Sequence, residues 1–153
     1  METKKLDQLK IVGIEVRTQN APNKAEQDIP ALWGRFMSEN ISPKIPNKSS
    51  EDIYCVYCEY EGDHLAPYTA LIGYAVHENA AIPSQFKVID IPASDYAVFK
   101  AHGDLTAGAV FEAWNTIWNS DLNRTHTADF EVYGQEATNP KDGKIDIFVG
   151  IKA

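Results

Sequence analysis

The sequence predicts an α+β fold in which one antiparallel sheet carries two helices on the same face. The main observation is that the element order β-α-β-β occurs twice, over residues 11–77 and 95–151. Each half also contains one amphipathic helix with a tryptophan on its apolar side, Trp33 in the first and Trp114 in the second. Internal repetition is typical of folds built from duplicated units. Two such units joined through their strands predict a pseudo-two-fold axis.

In the first unit, a strand is predicted at Leu9–Thr18 and an amphipathic helix at Asp28–Asn40. Asp28 is of a type that accepts hydrogen bonds at a helix N-cap, and Pro30 fits the first helical turn. A loop rich in proline and serine follows and has no periodicity. Two further strands, at Ile53–Glu61 and Thr69–His77, complete the unit.

The second unit begins with a predicted strand at Lys87–Ala101 and continues with a helix at Thr106–Asn119, for which Thr106 is the predicted cap. Its last two strands are predicted at Thr127–Gly134 and Lys144–Ile151. Because both helices are expected on one face of the sheet, the groove between them is a natural place for a ligand.

Matching the halves residue by residue supports the same division of the chain. The segment that begins at Ile11 is set against the segment that begins at Asp95, and Trp33 is set against Trp114. The matching residues are few, so the duplication depends mainly on the order of the elements.

Length and charge limit the classes of function. At 153 residues, 44% of them hydrophobic, the chain can bury a core as a single domain over residues 1–153. A net charge of −8 disfavours direct binding to nucleic acid or anionic lipid, although an acidic surface can also serve solubility alone. We find no signal-peptide segment and no stretch of membrane-spanning length. A cytoplasmic protein is expected.

Cys55 and Cys58 form a C-x-x-C motif within a predicted strand. Side chains three residues apart on a strand point to opposite faces, so this pair suits neither a zinc site nor a redox-active helix start. The histidines have no metal-ligand spacing, and no nucleophile elbow or phosphate-binding glycine loop is present. We therefore expect ordinary packing for the cysteines and no cofactor.

Glu131 is the acidic residue that stands out. It lies between Phe130 and Val132 in a predicted strand, with Tyr133 on the same face. Burying an unpaired carboxylate costs several kcal/mol, so a buried acid at this position would indicate a functional site. The alternative is that this face of the strand is solvated and that Glu131 is an ordinary surface acid.

Aromatic residues accompany Glu131 on the predicted helices and strands. Rings at helical spacing usually belong to a core, but several rings around one acid also favour a cation through cation–π attraction of about 0.5–2 kcal/mol per contact. The candidate ligand-binding residues are Glu131, Tyr133, Trp114, Trp33, Phe36, Tyr60, Tyr74, Trp118 and Phe148.

Five segments in the same order resemble the gyrase-inhibitor-like, AraC-type effector-binding superfamily, and together they cover nearly the whole chain. The resemblance implies that Glu131, in the Phe-Glu-Val-Tyr segment, lies near the floor of a pocket and meets a cationic drug between aromatic rings. The chain departs from the family near its end, where Gly150 stands close to the usual proline. The segments are 29–36, 68–74, 96–103, 130–133 and 145–151.

Three functions agree with the resemblance. The first is a free-standing module that senses or sequesters lipophilic cations such as drugs and dyes, and acts in transcription only through a separate DNA-binding partner. The second is a hydrolase of strained, cyclopropane-containing toxins that uses Glu131 and Tyr133 as acid and base. The third is a protein that inhibits or shields DNA gyrase. A binding role is favoured over an enzymatic one, and the sequence does not separate the alternatives.

Overall fold

The computed structural model describes residues 2–22, 24–63 and 65–152, which include the eight strands of one sheet and two α-helices. Neither helix in these residues is long and apolar enough to cross a membrane. The helices are α1 (Ala25–Ser38) and α2 (Ala109–Trp118). The strands are β1 (Glu2–Leu6), β2 (Leu9–Thr18), β3 (Lys48–Cys58), β4 (Tyr68–Val76), β5 (Lys87–Ile91), β6 (Ser94–Gly103), β7 (Arg124–Tyr133) and β8 (Gly143–Ile151).

The strands form one sheet in the order β1-β6-β8-β7-β3-β4-β2-β5, with antiparallel pairing throughout. β3 and β7 pair at the middle, where Cys55 lies opposite Glu131. Outward from this pair the order is β4 then β2 on one side, and β8 then β6 on the other. The predicted antiparallel sheet with two β-α-β-β units about a pseudo-two-fold axis is thereby confirmed.

Both helices pack on the same face of the sheet, as predicted. α1 buries Leu32 and Phe36 against β2 and β4, and α2 buries Trp114 and Ile117 against β6 and β8. Tyr133 packs against both groups of residues, which places the two helices side by side over the centre of the sheet. Burial of each large apolar side chain contributes about 1.5–3 kcal/mol.

The opposite face has a core of its own because the sheet curls. Two-residue links, Asp7-Gln8 and Pro92-Ala93, join β1 to β2 and β5 to β6. Each link reaches only about 10 Å, so the two ends of the sheet must approach one another. Phe130 and Phe148 stack inside this curl with their ring centres 4.9 Å apart.

The structure places several element boundaries differently from the prediction. α1 begins at Ala25, so Asp28 is within its first turn, where it forms an ion pair of 3.0 Å with Lys24. α2 begins at Ala109, after Gly108 at its N-cap. Thr106 does not cap it; its hydroxyl donates a hydrogen bond to Asp104 in the preceding turn.

The strand predicted at Lys87–Ala101 is two strands, β5 and β6. They are separated at Pro92, which has no backbone N–H to donate to a sheet. β1 was not predicted, since four of its five residues are exposed and it has no apolar alternation.

The two cysteines are free and buried, and they face opposite sides of the sheet. Cys55 belongs to the helix-covered side and Cys58 to the curled side, as the strand periodicity predicted. Burial raises the pKa of the Cys58 thiol to about 12 and raises the pKa of Cys55 well above its ordinary value. Neither thiol is therefore activated as a nucleophile.

Candidate functional site

A cavity of about 790 Å³ lies between the two helices and above the middle of the sheet. Most of its wall is apolar or aromatic, and α1, α2, β3 and β7 all contribute side chains. The predicted residues that line it are Trp33, Tyr60, Trp114, Trp118, Glu131 and Tyr133. Other lining residues were not singled out from the sequence, among them Tyr57, Tyr68, Ile29, Val110, Phe111 and Arg124.

Glu131 forms the polar part of the cavity floor. It lies in the second half of β7, between Cys55 of β3 and Ile147 of β8, and its side chain points to the helix-covered face. The residue is only 1% exposed. Its position on an inner strand, covered by rings from above, accounts for this burial.

Three neutral groups donate hydrogen bonds to the Glu131 carboxylate. The Tyr57 hydroxyl and the Trp114 Nε1–H both donate to Oε2, at 2.8 and 2.6 Å. The Tyr133 hydroxyl donates to Oε1 at 2.6 Å. Among the described residues Glu131 has no ion pair, so the carboxylate is hydrogen-bonded but its charge is not neutralised.

The environment of Glu131 acts on its pKa in two directions. Burial raises the pKa of the carboxyl above the ordinary 4.5, whereas the hydrogen bonds from Tyr133, Trp114 and Tyr57 lower it, and the effect of burial is the larger. The pKa values of Tyr57 and Tyr133 are raised well above 10.0 by burial. Both tyrosines therefore stay protonated and act as hydrogen-bond donors.

The rings beside Glu131 follow the pseudo-two-fold axis. Trp33 of α1 meets Tyr133 edge to face, with ring centres 4.9 Å apart, and Trp114 of α2 meets Tyr57 in the same way at 5.5 Å. Each helix thus contributes one tryptophan that contacts a tyrosine from the other unit. Edge-to-face pairs favour such ring orientations by about 0.5–1.5 kcal/mol each, so these contacts help to hold the aromatic wall around Glu131 in place.

A second buried acid, Asp129, lies two residues from Glu131 on the same face. It is ion-paired with Arg124 at 2.7 Å and accepts a hydrogen bond from the Tyr60 hydroxyl at 2.5 Å. Its other oxygen accepts the backbone N–H of Gly150 at 2.8 Å. A proline at position 150 could not donate this bond, so the departure from the family pattern at Gly150 has a structural role here.

Three predicted site residues lie outside the cavity. Phe36 and Tyr74 are 3% and 5% exposed and pack on each other in the core beneath α1, with ring centres 5.6 Å apart. The prediction that Phe148 lines the cavity is wrong, because Phe148 lies on the curled side of the sheet. Its neighbours Ile147 and Val149 face the helices, and successive side chains alternate along a strand.

The comparisons with known proteins agree with this architecture. Residues 2–151 match the pattern of the family described as Cass2, integron-associated effector binding protein. YobU of Bacillus subtilis (strain 168), a candidate transcriptional regulator, is 34% identical over 151 residues, which are 96% of this chain and 94% of YobU.

Two solved structures have the same fold. The integron cassette protein VCH_CASS2, from the mobile metagenome of Vibrio cholerae, superposes with a TM-score of 0.77 and 22% identity over 99% of this chain and 95% of that chain. SAV2435 bound to tetraphenylphosphonium gives a TM-score of 0.81 and 22% identity, over 99% and 93% of the two chains. The resemblance to effector-binding domains is therefore confirmed, and the chain belongs to the Cass2 family of integron-associated effector-binding proteins.

Proposed function

We propose that this protein binds lipophilic organic cations in the cavity between its helices, with Glu131 as the counter-charge, and that it senses or sequesters them. One observation carries the proposal. A carboxylate that is 1% exposed lies on the floor of an aromatic cavity and is held, among the described residues, by neutral donors alone. Keeping an uncompensated charge buried costs several kcal/mol, and a bound cation removes that cost.

The hydrogen bonds to Glu131 also favour one kind of cation. Both carboxylate oxygens already accept hydrogen bonds, so a ligand ammonium that needs several acceptors finds few here. A quaternary or phosphonium cation needs none, and it gains from the surrounding ring faces. The tetraphenylphosphonium bound to SAV2435 belongs to this class, which supports the proposal for the present chain.

A link to transcription is the second part of the proposal. YobU is a candidate transcriptional regulator, and binding of an effector by this chain would act on transcription through a separate DNA-binding partner. Action on DNA gyrase and hydrolysis of strained toxins stay alternative hypotheses. Turnover of many equivalents of such a toxin by the purified protein would favour the hydrolase.

Tetraphenylphosphonium and tetraphenylborate provide the direct test, because they have the same shape and opposite charge. The phosphonium has about 25 heavy atoms, which at about −0.3 kcal/mol per atom predicts a Kd in the low micromolar range. The borate should bind at least about a hundred-fold more weakly, since it would bring a second negative charge to Glu131. Calorimetric titration of each ion measures both values. Equal affinities, or no binding of the phosphonium, would overturn the proposal.

Cation affinity is expected to fall as the pH is lowered. Burial raises the pKa of Glu131, and protonation removes the charge that attracts the ligand. A bound cation favours the ionised form, so binding releases a proton, and below the raised pKa the affinity drops by up to about ten-fold per pH unit. The decline should therefore begin above pH 4.5, the ordinary value for a glutamate.

The groups in direct contact with the Glu131 carboxylate do not titrate in this range. The pKa values of Cys55 and Tyr57 from β3, and of Tyr133 from the same strand, are all raised by burial, and Trp114 does not ionise. Calorimetry in buffers with different heats of ionisation counts the protons released. Glu131→Gln is the control, and an equal pH dependence in this variant would show that another group is responsible.

A further inference from the structure

Arg124 is a second charged side chain on the wall of the cavity. Its Nη2 donates to Asp129 at 2.7 Å, and the side chain is only 7% exposed. The guanidinium carbon lies 5.9 Å from the ring centre of Trp114, the same tryptophan whose Nε1–H donates to Glu131. The cation of the wall and the carboxylate of the floor therefore contact the same indole ring, the first over its face and the second at its Nε1–H.

Most of the donors of Arg124 have no partner within the part of the chain that the structure describes. A guanidinium has five N–H groups, and among the described residues Arg124 makes a single hydrogen bond. Nε is buried and has no acceptor there. Asp129 cannot supply more acceptors easily, because its oxygens also receive the Tyr60 hydroxyl and the Gly150 N–H. A buried donor without an acceptor is unfavourable. The remaining Nη donors are not among the buried unpaired atoms, and they can meet an acceptor of a ligand because Arg124 lines the cavity.

We propose that Arg124 forms a hydrogen-bonding subsite and that the ligands of this protein are lipophilic cations that also carry an oxygen acceptor. This inference rests on the proposed function, since it assumes that Glu131 holds the cationic end. Because Arg124 and Glu131 contact the Trp114 ring at different points, we expect a short apolar stretch of the ligand between the acceptor and the cationic centre. A ligand with both groups would satisfy the floor and the wall at once.

The acceptor is a neutral oxygen, such as that of a ketone, ester or ether. Glu131, Asp129 and Arg124 together carry one net negative charge, which a monocation neutralises. A ligand with an added carboxylate would restore that negative charge beside two buried acids, and like charges in a poorly solvated site repel strongly. A neutral carbonyl accepts the hydrogen bond without this cost.

Two triphenylphosphonium probes test the subsite, one with a 5-oxohexyl chain and one with a hexyl chain. They have the same charge and chain length and differ only in the ketone. The wild-type protein should bind the ketone probe at least about ten-fold more tightly, as expected for a hydrogen bond from a charged donor. In a crystal structure of the complex, the ketone oxygen should lie within hydrogen-bonding distance of Arg124.

Variants separate this inference from the proposed function. In Arg124→Gln/Asp129→Asn, which keeps the pair neutral, the ratio of the two affinities should fall to about one. In Glu131→Gln both affinities should fall and the ratio should persist. Equal binding of the probes to the wild type, or an unchanged ratio in the double variant, overturns the Arg124 subsite alone. Failure of the wild type to bind either probe overturns the proposed function as well.

Discussion

Glu131→Gln is expected to weaken the binding of tetraphenylphosphonium by about ten- to a hundred-fold and to leave the fold intact. A charge-assisted contact contributes about 1.5–3 kcal/mol, and the substitution removes the charge without changing the size of the side chain. The oxygen of the new side chain can accept from Tyr57 and Trp114 as Oε2 does. Its amide nitrogen can donate to Tyr133, whose hydroxyl rotates to accept.

The measurement is a pair of titrations on each protein, with tetraphenylphosphonium and with the neutral triphenylphosphine oxide. The neutral compound should lose far less affinity, because its ring contacts remain. Glu39→Gln is the matched control, since Glu39 is an exposed acid at the end of α1 and does not line the cavity. Equal losses for both compounds, or none for the phosphonium, would mean that Glu131 is structural.

Much of the fold could be predicted because the patterns that specify it lie within single helices and strands and in their order along the chain. Helical spacing located α1 and α2, and the repeated element order gave the antiparallel sheet and the common face of the helices. Matching the halves by residue type was less successful. The match that sets Ile11 against Asp95 also sets Val12 against Tyr96, but Val12 faces the helices and Tyr96 faces the curled side. Residue identity across a duplicated strand does not fix which face a side chain occupies.

The site was predictable in part for the same reason. Glu131, Trp33 and Trp114 could be proposed from patterns within single elements, and the structure brings them together at one cavity. Phe148 could have been assigned to the other face by counting from Ile147, since the alternation is strict. The partnership of Arg124 with Asp129 could not be foreseen, because the register of β7 against β8 shifts between these two residues. Such a shift depends on the paired strand and leaves no regular spacing.

The Arg124–Asp129 ion pair, in the first half of β7, should make a large contribution to the stability of the fold. Both side chains are almost fully buried, at 7% and 0% exposure. Arg124→Gln leaves the Asp129 charge without its counter-ion, and we expect it to lower the free energy of unfolding by about 3 kcal/mol, as is typical when one partner of a buried pair is removed. Asp129→Asn should have a comparable effect, because it leaves the guanidinium uncompensated.

The double variant Arg124→Gln/Asp129→Asn should be more stable than either single variant, because no buried charge remains unpaired and the new amide oxygen can still accept the Gly150 N–H. Urea unfolding of the four proteins gives the coupling energy between the two positions. Because each single variant is expected to lose about 3 kcal/mol, a double variant that is more stable than either requires a coupling energy above about 3 kcal/mol. The double variant should then also melt at a higher temperature than either single variant. Strictly additive effects would mean that the two side chains act independently. In that case Asp129 would be held by Tyr60 and Gly150 alone, and the Arg124 guanidinium would be able to turn fully towards the cavity.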